Sequence, residues 1–303
     1  METLFLKNSW YFLILTLAQM LHPIKSKLQR FGEKGHRMKI KIHRMPLEDA
    51  KITYQETAGL AIISIHRPHT KNALTANMWT ELSEIASFVL DNPKNKVVLL
   101  RGSGQQFTAG SDIKEFYKMS VEEAEASFML MEKAISAFET LPMPTIGVIN
   151  GPAMGAGLEL ALACDLRIGS EHAKMGIPVG RLGIRLSSKF AQRLVNLIGP
   201  SRTKELVYTG KILNAEESYR LGMLNRLVKN EKLDRFAIKL GKLVASQSPA
   251  SLKAIKQSVA NCVNSAEELW KEDVPFVDPY DFPEGVAAFV EKRPPRFKRR
   301  IRD

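Results

Sequence analysis

The sequence predicts an α/β protein in which strands alternate with helices along a largely parallel sheet. Three observations predict it. Short β-branched runs recur from Ile52 onward, amphipathic stretches with 3–4 spacing stand between them, and strand patterns fade after about Leu227. "ITYQETAGLAIISIHRP" (residues 52–68) is apolar and β-branched with a glycine in its middle, so it reads as two strands joined by a turn. "ALTANMWTELSEIASFVLDN" (73–92) carries helical spacing, with Thr75 placed to cap it. "KVVLLRG" (96–102) is a short buried strand, followed by the polar, glycine-bearing loop "SGQQFTAGSD". "VEEAEASFMLMEKAISAFETL" (121–141) is a long amphipathic helix, and "TIGVING" (145–151) is another buried strand. A glycine-rich turn then opens an apolar helix that contains Glu159, and "LRIGS" (166–170) supplies a further strand. Beyond it, "DRFAIKLGKLVASQ", "ASLKAIKQSVANCV" and "AEELWKEDV" are helical patterns separated by "SP" and "NS" breaks. The chain is expected to divide into an N-terminal extension (1–48), an α/β core (49–227) and a helical C-terminal region (228–303).

The net charge of +12 raises the question of a nucleic-acid partner, and its distribution answers it. Residues 1–45 carry +7 and residues 292–303 carry +6, so the body between them stands at −1. The basicity belongs to two tails without a nucleic-acid module, and nucleic acid is not an expected partner. Cys164 and Cys262 are the only cysteines, with no C-x-x-C spacing; this fits a reducing compartment and excludes a structural zinc site. "SWYFLILTLAQML" (9–21) is apolar for 13 residues, short of the roughly 20 that a membrane helix needs. It reads as a weak anchor, a transit-like segment, or an extension preceding a working start at Met38 or Met45. The last is favoured, with a cytoplasmic location; membrane association or organellar targeting through residues 1–37 stays open.

Dinucleotide, P-loop, nucleophile-elbow and zinc-protease motifs are all absent. Two strand-to-turn junctions carry the chemistry instead. "FTAGSDIKEF" (107–116) and "NGPAMGAGLELALACD" (150–165) each follow a buried strand and are built of small residues. Small residues let the backbone approach a ligand, and N–H groups at such turns and at a helix start are free donors. Two donors aimed at one point suit a carbonyl oxygen that becomes an enolate. Glu159 stands among Leu158, Leu160, Ala161 and Leu162. The pattern allows an exposed polar face, or an acid held at an apolar site, where burial would poise it to exchange protons near neutral pH.

These segments resemble the crotonase, or enoyl-CoA hydratase/isomerase, superfamily over roughly residues 50–300. "HRPHTKNALTANMWTEL" is similar to its N-R-P-x-x-x-N-A-L opening, "FTAGSDIKEF" to F-x-A-G-A-D-I/L-K, and "NGPAMGAGLELALACDLRI" to N-G-x-A-x-G-G-G-x-E-L-A-x-x-C-D. "TGKILNAEESYRLGMLNRLV" and "FVEKRPPRFK" continue the likeness to the end of the chain. The resemblance implies a spiral of ββα/βαβ turns with C-terminal helices used in oligomerisation, and a homotrimer or homohexamer. It also implies an acyl-CoA thioester as substrate, no separate cofactor and no metal. The oxyanion donors would be the N–H groups of Ser111 and Ala156, where the family usually has Ala and Gly. Both replacements are tolerable because the donor is backbone. Ala109, Asp112, Ile113 and Lys114 fall on the loop lining the coenzyme A channel, with Gly155, Val179 and Arg185 also toward substrate. Asp112 can equally be a loop cap and Lys114 a solvated side chain, while Asp165 reads as structural. Glu159 falls on one of the family's two catalytic glutamates.

The other glutamate is missing. The family's G-x-P-E-x-x-L-G segment is here "GIPVGRLG" (176–183), with Val179 in the acid's place, and "RLSSK" (185–189) replaces a glycine-rich stretch. Valine can neither activate water nor deliver a proton. Hydration with Glu159 alone is the leading expectation. Double-bond isomerisation remains open, as does decarboxylation or hydrolysis with Arg181 and Arg185 receiving a substrate carboxylate, although both arginines can equally form surface ion pairs. A non-catalytic acyl-CoA- or RNA-binding protein is the alternative from another class.

Overall fold

The computed structural model describes residues 52–264 and 281–295, together with Val277 and Pro279. The N-terminal extension, the apolar run at 9–21, the helical pattern at 266–274 and the basic residues from Arg296 onward lie outside the described residues.

Six strands form the main sheet: β1 (Ile52–Thr57), β2 (Leu60–Ile65), β3 (Val97–Gly102), β4 (Thr145–Ile149), β6 (Leu166–Ser170) and β9 (Arg226–Val228). They are ordered β1-β2-β3-β4-β6-β9. The β1–β2 hairpin is antiparallel and every later pairing is parallel, as the strand–helix alternation predicts. A second sheet, absent from the sequence reading, joins β5 (Pro152–Met154), β7 (Lys174–Gly176) and β8 (Ile212–Asn214). Each of its strands has three residues, too few for a period of two to show.

The apolar run of β3 explains the layering. Successive side chains of a strand point to opposite faces, so Val98 and Leu100 enter one core while Val97 and Leu99 enter another. The first core is closed by helices α1 (Ala76–Asp91) and α3 (Val121–Glu139), which pack against each other and bury Trp79, Leu82, Ile135 and Phe138. Between these helices lies the short α2 (Ile113–Phe116). Thr75 caps α1 by accepting the Met78 N–H, and Ser120 with Glu123 forms a capping box on α3. The glutamate-bearing helix α4 (Ala156–Leu162) is buried along almost its whole length. Next come α5 (Ser188–Thr209), α6 (Ala215–Arg220) and α7 (Asn230–Ala245). Helix α7 covers the sheet's other face, setting Leu233 and Ala237 against Leu60, Leu99 and Ile146. Two further helices follow among the described residues: α8 (Pro249–Asn264) and α9 (Asp281–Val290). The latter packs on the 3-10 turn Val179–Leu182. Among the described residues no helix is long and apolar enough to cross a membrane.

Two asparagines fix the turn that leaves β3. Asn72 is fully buried at φ +57°, a left-handed conformation that Asn tolerates better than most residues. Its amide is shared among the carbonyls of Ser103, Gln106 and Phe107 at 2.9, 3.0 and 3.2 Å, while its Oδ1 accepts the Arg67 N–H. From the end of β4, Asn150 donates to the Gly102 and Gly104 carbonyls. Replacing Asn72 by Ala removes those donors and leaves an alanine at positive φ. The expected cost is about 3 kcal/mol of folding free energy, read from the midpoint of urea denaturation.

Candidate active site

The loop after β3 and the turn before α4 meet backbone to backbone. The Met154 N–H donates to the Thr108 carbonyl at 3.1 Å and the Thr108 N–H to the Pro152 carbonyl at 3.1 Å. Only glycine fits where the segments touch. A Cβ on Gly110, which sits at φ +86°, would lie 2.6 Å from the Met154 carbonyl oxygen and 3.1 Å from the Ala156 nitrogen. A Cβ on Gly157 would lie 2.5 Å from the Thr108 oxygen. Ser111 follows Gly110 and Ala156 precedes Gly157, so the two expected donors flank one contact. Ala156 opens α4, and its N–H has no acceptor within the helix. Ser111 is bridged to Leu74 through the N–H groups of Leu74 and Asp112, both at 2.8 Å, an arrangement that does not use its own N–H. The Ser111 hydroxyl is fixed from behind: it accepts the Trp79 indole N–H at 3.1 Å and faces the Met131 sulfur at 3.8 Å. Serine in place of the family's usual alanine thus ties the loop to α1.

Glu159 lies on the buried face of α4, 1% exposed, which excludes the exposed-face reading. Its Oε1 accepts from Arg193 Nη1 at 2.5 Å. The same guanidinium reaches Glu132 at 2.9 Å and Glu139 at 2.7 Å, both on α3. One cation therefore faces three carboxylates from two other helices. Burial, followed by the negative charge of Glu132, raises the Glu159 carboxyl well above the ordinary range; the Arg193 charge opposes this without cancelling it. For Glu132 burial also pushes upward, but the hydrogen bonds and charge of Arg193 outweigh it and hold it low. Burial weakens the Arg193 cation, yet its bonds to Glu139 and Glu132 leave it held more firmly protonated than usual. Three glutamates meet here, yet among the described residues no group of His, Cys, Asp or Glu is arranged to hold a metal.

The remaining expected residues divide into two kinds. Ala109 is half-buried, its N–H bound to the Lys71 carbonyl, and Gly155 donates to the Gly176 carbonyl beside the α4 start. Asp112 caps α2 through the Lys114 N–H at 3.1 Å and pairs with Arg67 at 2.6 Å, so both its oxygens serve the loop. Ile113 packs on the core and Lys114 is exposed. Asp165 is structural, as read: one oxygen takes the Thr145 N–H, the Thr145 hydroxyl and the Lys256 ammonium. Val179 is half-buried against the core, whereas Arg181 is exposed. Arg185 lines a hollow of about 420 Å³ with Val121, Ala126, Met129 and Val277. A second hollow, about 250 Å³, lies between α5 and α6 near Arg202 and Lys211. Glu159, Ser111 and Ala156 line neither.

Sequence reasoning missed Arg193, Glu132 and Glu139. A signal existed: Glu132 and Glu139 stand seven residues apart among Phe128, Met131, Ile135 and Phe138, on the side of α3 that turns inward. Arg193, between the buried Phe190 and Leu194, carried no such signal of its own.

Residues 55–300 match the sequence model of a family described as enoyl-CoA hydratase/isomerase. The chain is 32% identical to a crotonyl-CoA hydratase of Syntrophomonas wolfei, over 81% of this chain and 97% of that protein. It is 33% identical to the mitochondrial methylglutaconyl-CoA hydratase of Mus musculus, covering 80% and 81% respectively. A crystal structure of enoyl-CoA hydratase from Bacillus anthracis superposes with a TM-score of 0.68 at 33% identity, over 82% of this chain and 99% of that one.

Replacing Ser111 by Ala keeps the backbone donor but strands the indole N–H of Trp79, which is fully buried. Thermal or urea unfolding should show a loss of about 1–3 kcal/mol, the cost of an unsatisfied buried donor, while kcat of the folded protein stays within about twofold.

Proposed function

We propose, from the premise that the chain belongs to the enoyl-CoA hydratase/isomerase family of crotonase-fold enzymes, that it hydrates an enoyl-CoA thioester with Glu159 as its single catalytic carboxyl. The chain is an acyl-CoA-processing enzyme of that family. The observation that carries it is Glu159 itself, buried and inclined to keep its proton, one helical turn beyond the Ala156 N–H.

The thioester oxygen accepts from the N–H groups of Ser111 and Ala156, which stabilise the negative charge it gains. Water oxygen bonds to the β-carbon, the double-bond electrons pass to the thioester as an enolate, and Glu159 gives its proton to the α-carbon. The proton released by the water returns to Glu159, which ends as it began. Arg193 holds Oε1, and the Glu159 carboxyl exchanges the proton. Coenzyme A enters as part of the substrate, with no separate cofactor or metal.

Isomerisation uses the same parts, since one acid can move a proton between two carbons. The apolar, half-buried Val179 favours keeping it as the second reading, because it leaves one carboxyl on the substrate side. Decarboxylation has less support: Arg185 is already engaged and Arg181 points outward. The near-neutral body of residues 46–291 gives no support to an RNA-binding role. A homotrimer, or a pair of trimers, is the expected assembly, supported by the exposed apolar stripe Ile255, Val259 and Val263 along α8. The cytoplasm is its expected compartment.

Glu159→Gln should lower turnover by about 10²-fold or more while leaving acyl-CoA affinity nearly intact. Mass spectrometry over a panel of enoyl-CoAs reads the reaction: a gain of one water means hydration, unchanged mass with altered retention means isomerisation. Near-normal turnover in this variant would overturn the assignment. The pH dependence has a defined sign. An acid must hold its proton to give it, so kcat/KM stays high below the raised pKa of Glu159 and falls as pH rises through it.

A further inference from the structure

The family's second acid is missing at Val179, yet Glu159 faces another carboxyl. Arg193 Nη1 lies 2.5 Å from Glu159 Oε1 and 3.3 Å from Glu132 Oε2, so the two carboxyl groups share one nitrogen. Arg193 Nη2 binds Glu132 Oε1 at 2.9 Å, and Glu139 takes the guanidinium's far side through Nε and Nη2. The charged groups facing Glu159 are thus Glu132 and Glu139 from α3 and Arg193 from α5. Strand β5, which also packs on α4, carries only Pro152, Ala153 and Met154.

Charge counting then places a proton. Three ionised carboxylates around one guanidinium would leave two uncompensated negative charges in a largely buried seat, which is costly. Side-chain exposure is 1% for Glu159, 13% for Glu132 and 43% for Glu139. Glu132 also receives more donors: two nitrogens of Arg193 and the Ser136 hydroxyl at 2.9 Å. Glu159 receives one donor from Arg193. The better-solvated carboxyl ionises, and the most buried one keeps the proton.

We propose that Glu132 is the positioning residue of this site: its carboxylate, set beside Glu159 by Arg193, keeps the proton on Glu159 and so replaces the carboxyl that Val179 lacks. The use of that proton rests on the hydratase/isomerase reading; the pairing does not. Glu132 acts through Glu159, with no contact to substrate required of it. Glu139 neutralises the outer side of Arg193 and has a smaller effect, because solvent screens it.

The test is an infrared titration of the carboxyl band in substrate-free protein labelled with ¹³C-glutamate. The band missing in Glu159→Gln identifies Glu159. In Glu132→Gln the like charge is gone, so the midpoint of that band should move about one pH unit or more lower. Glu139→Gln should move it less than half as far. Glu132→Asp, which withdraws the charge by one methylene, should give an intermediate fall and serves if the glutamine variant does not fold. A midpoint unmoved in Glu132→Gln, or in Glu132→Asp where that variant serves, overturns the pairing. In turnover, the alkaline limb of the pH profile should move with the band while KM holds; a purely structural role would lower activity without moving the limb. The two readings separate cleanly. A shifted band with no reaction on any enoyl-CoA sinks the proposed reaction alone, whereas hydration with an unmoved band sinks the pairing alone.

Discussion

The bond from Arg193 to Glu159 is the constraint around which the interior of this protein is arranged. A carboxyl that is 1% exposed needs a hydrogen-bonding partner, and a buried guanidinium needs more than one. Glu132 and Glu139 meet that second need, and in doing so they bind α3 to α5 with α4 between them. Removing Arg193 would leave the glutamates around it without their cation, a cost of about 3–5 kcal/mol. The helices that carry the carboxyl groups are consequently held by the same atoms that set the proton affinity of Glu159. Stability and acidity cannot be tuned separately here.

The other half of the site depends on backbone alone. Strands β3 and β4 are adjacent and parallel, so the turns leaving their ends emerge side by side. Asn72 and Asn150 fix the first turn by filling its carbonyls, and the Gly110–Gly157 contact brings it against the start of α4. Little of this uses a side chain that reaches substrate. The side chains serve to make the main chain rigid where the two turns meet. Ser111 and Ala156, which flank that contact, are both small.

How far the sequence could be read follows from the size of the signal. The β1–β2 hairpin, β3, β4, β6 and helices α1 and α3 have enough apolar residues at a fixed period to announce themselves, and Thr75 marks its helix start in advance. The three-residue strands of the second sheet do not, because their pairing is decided by neighbours distant in sequence. At the site, the glycine-rich turns and the oddity of a carboxyl inside an apolar helix were legible, while the burial of Glu159 became plain only in the structure. Arg193 was not legible. A lone arginine in an amphipathic helix looks like a surface residue until α3 is known to lie opposite, and that fact belongs to tertiary packing. Asp112 was readable both as a channel-lining residue and as a loop cap; the structure shows it capping α2 and pairing with Arg67.

Helix α5 is continuous in outline but broken at Gly199, which sits at φ +76°, with Pro200 restarting the helix after it. Arg193 belongs to the segment before the break; Arg202, Glu205 and Leu206, which line the smaller hollow, belong to the segment after it. A helix without that interruption would carry any change in twist or register at its far end back to Arg193. The break confines such changes. The inner segment keeps Arg193 in register against the three glutamates, while the outer one buries Thr203 and Leu206. The two halves of the helix thus seat themselves separately, one around a cluster of charges and the other on apolar contacts.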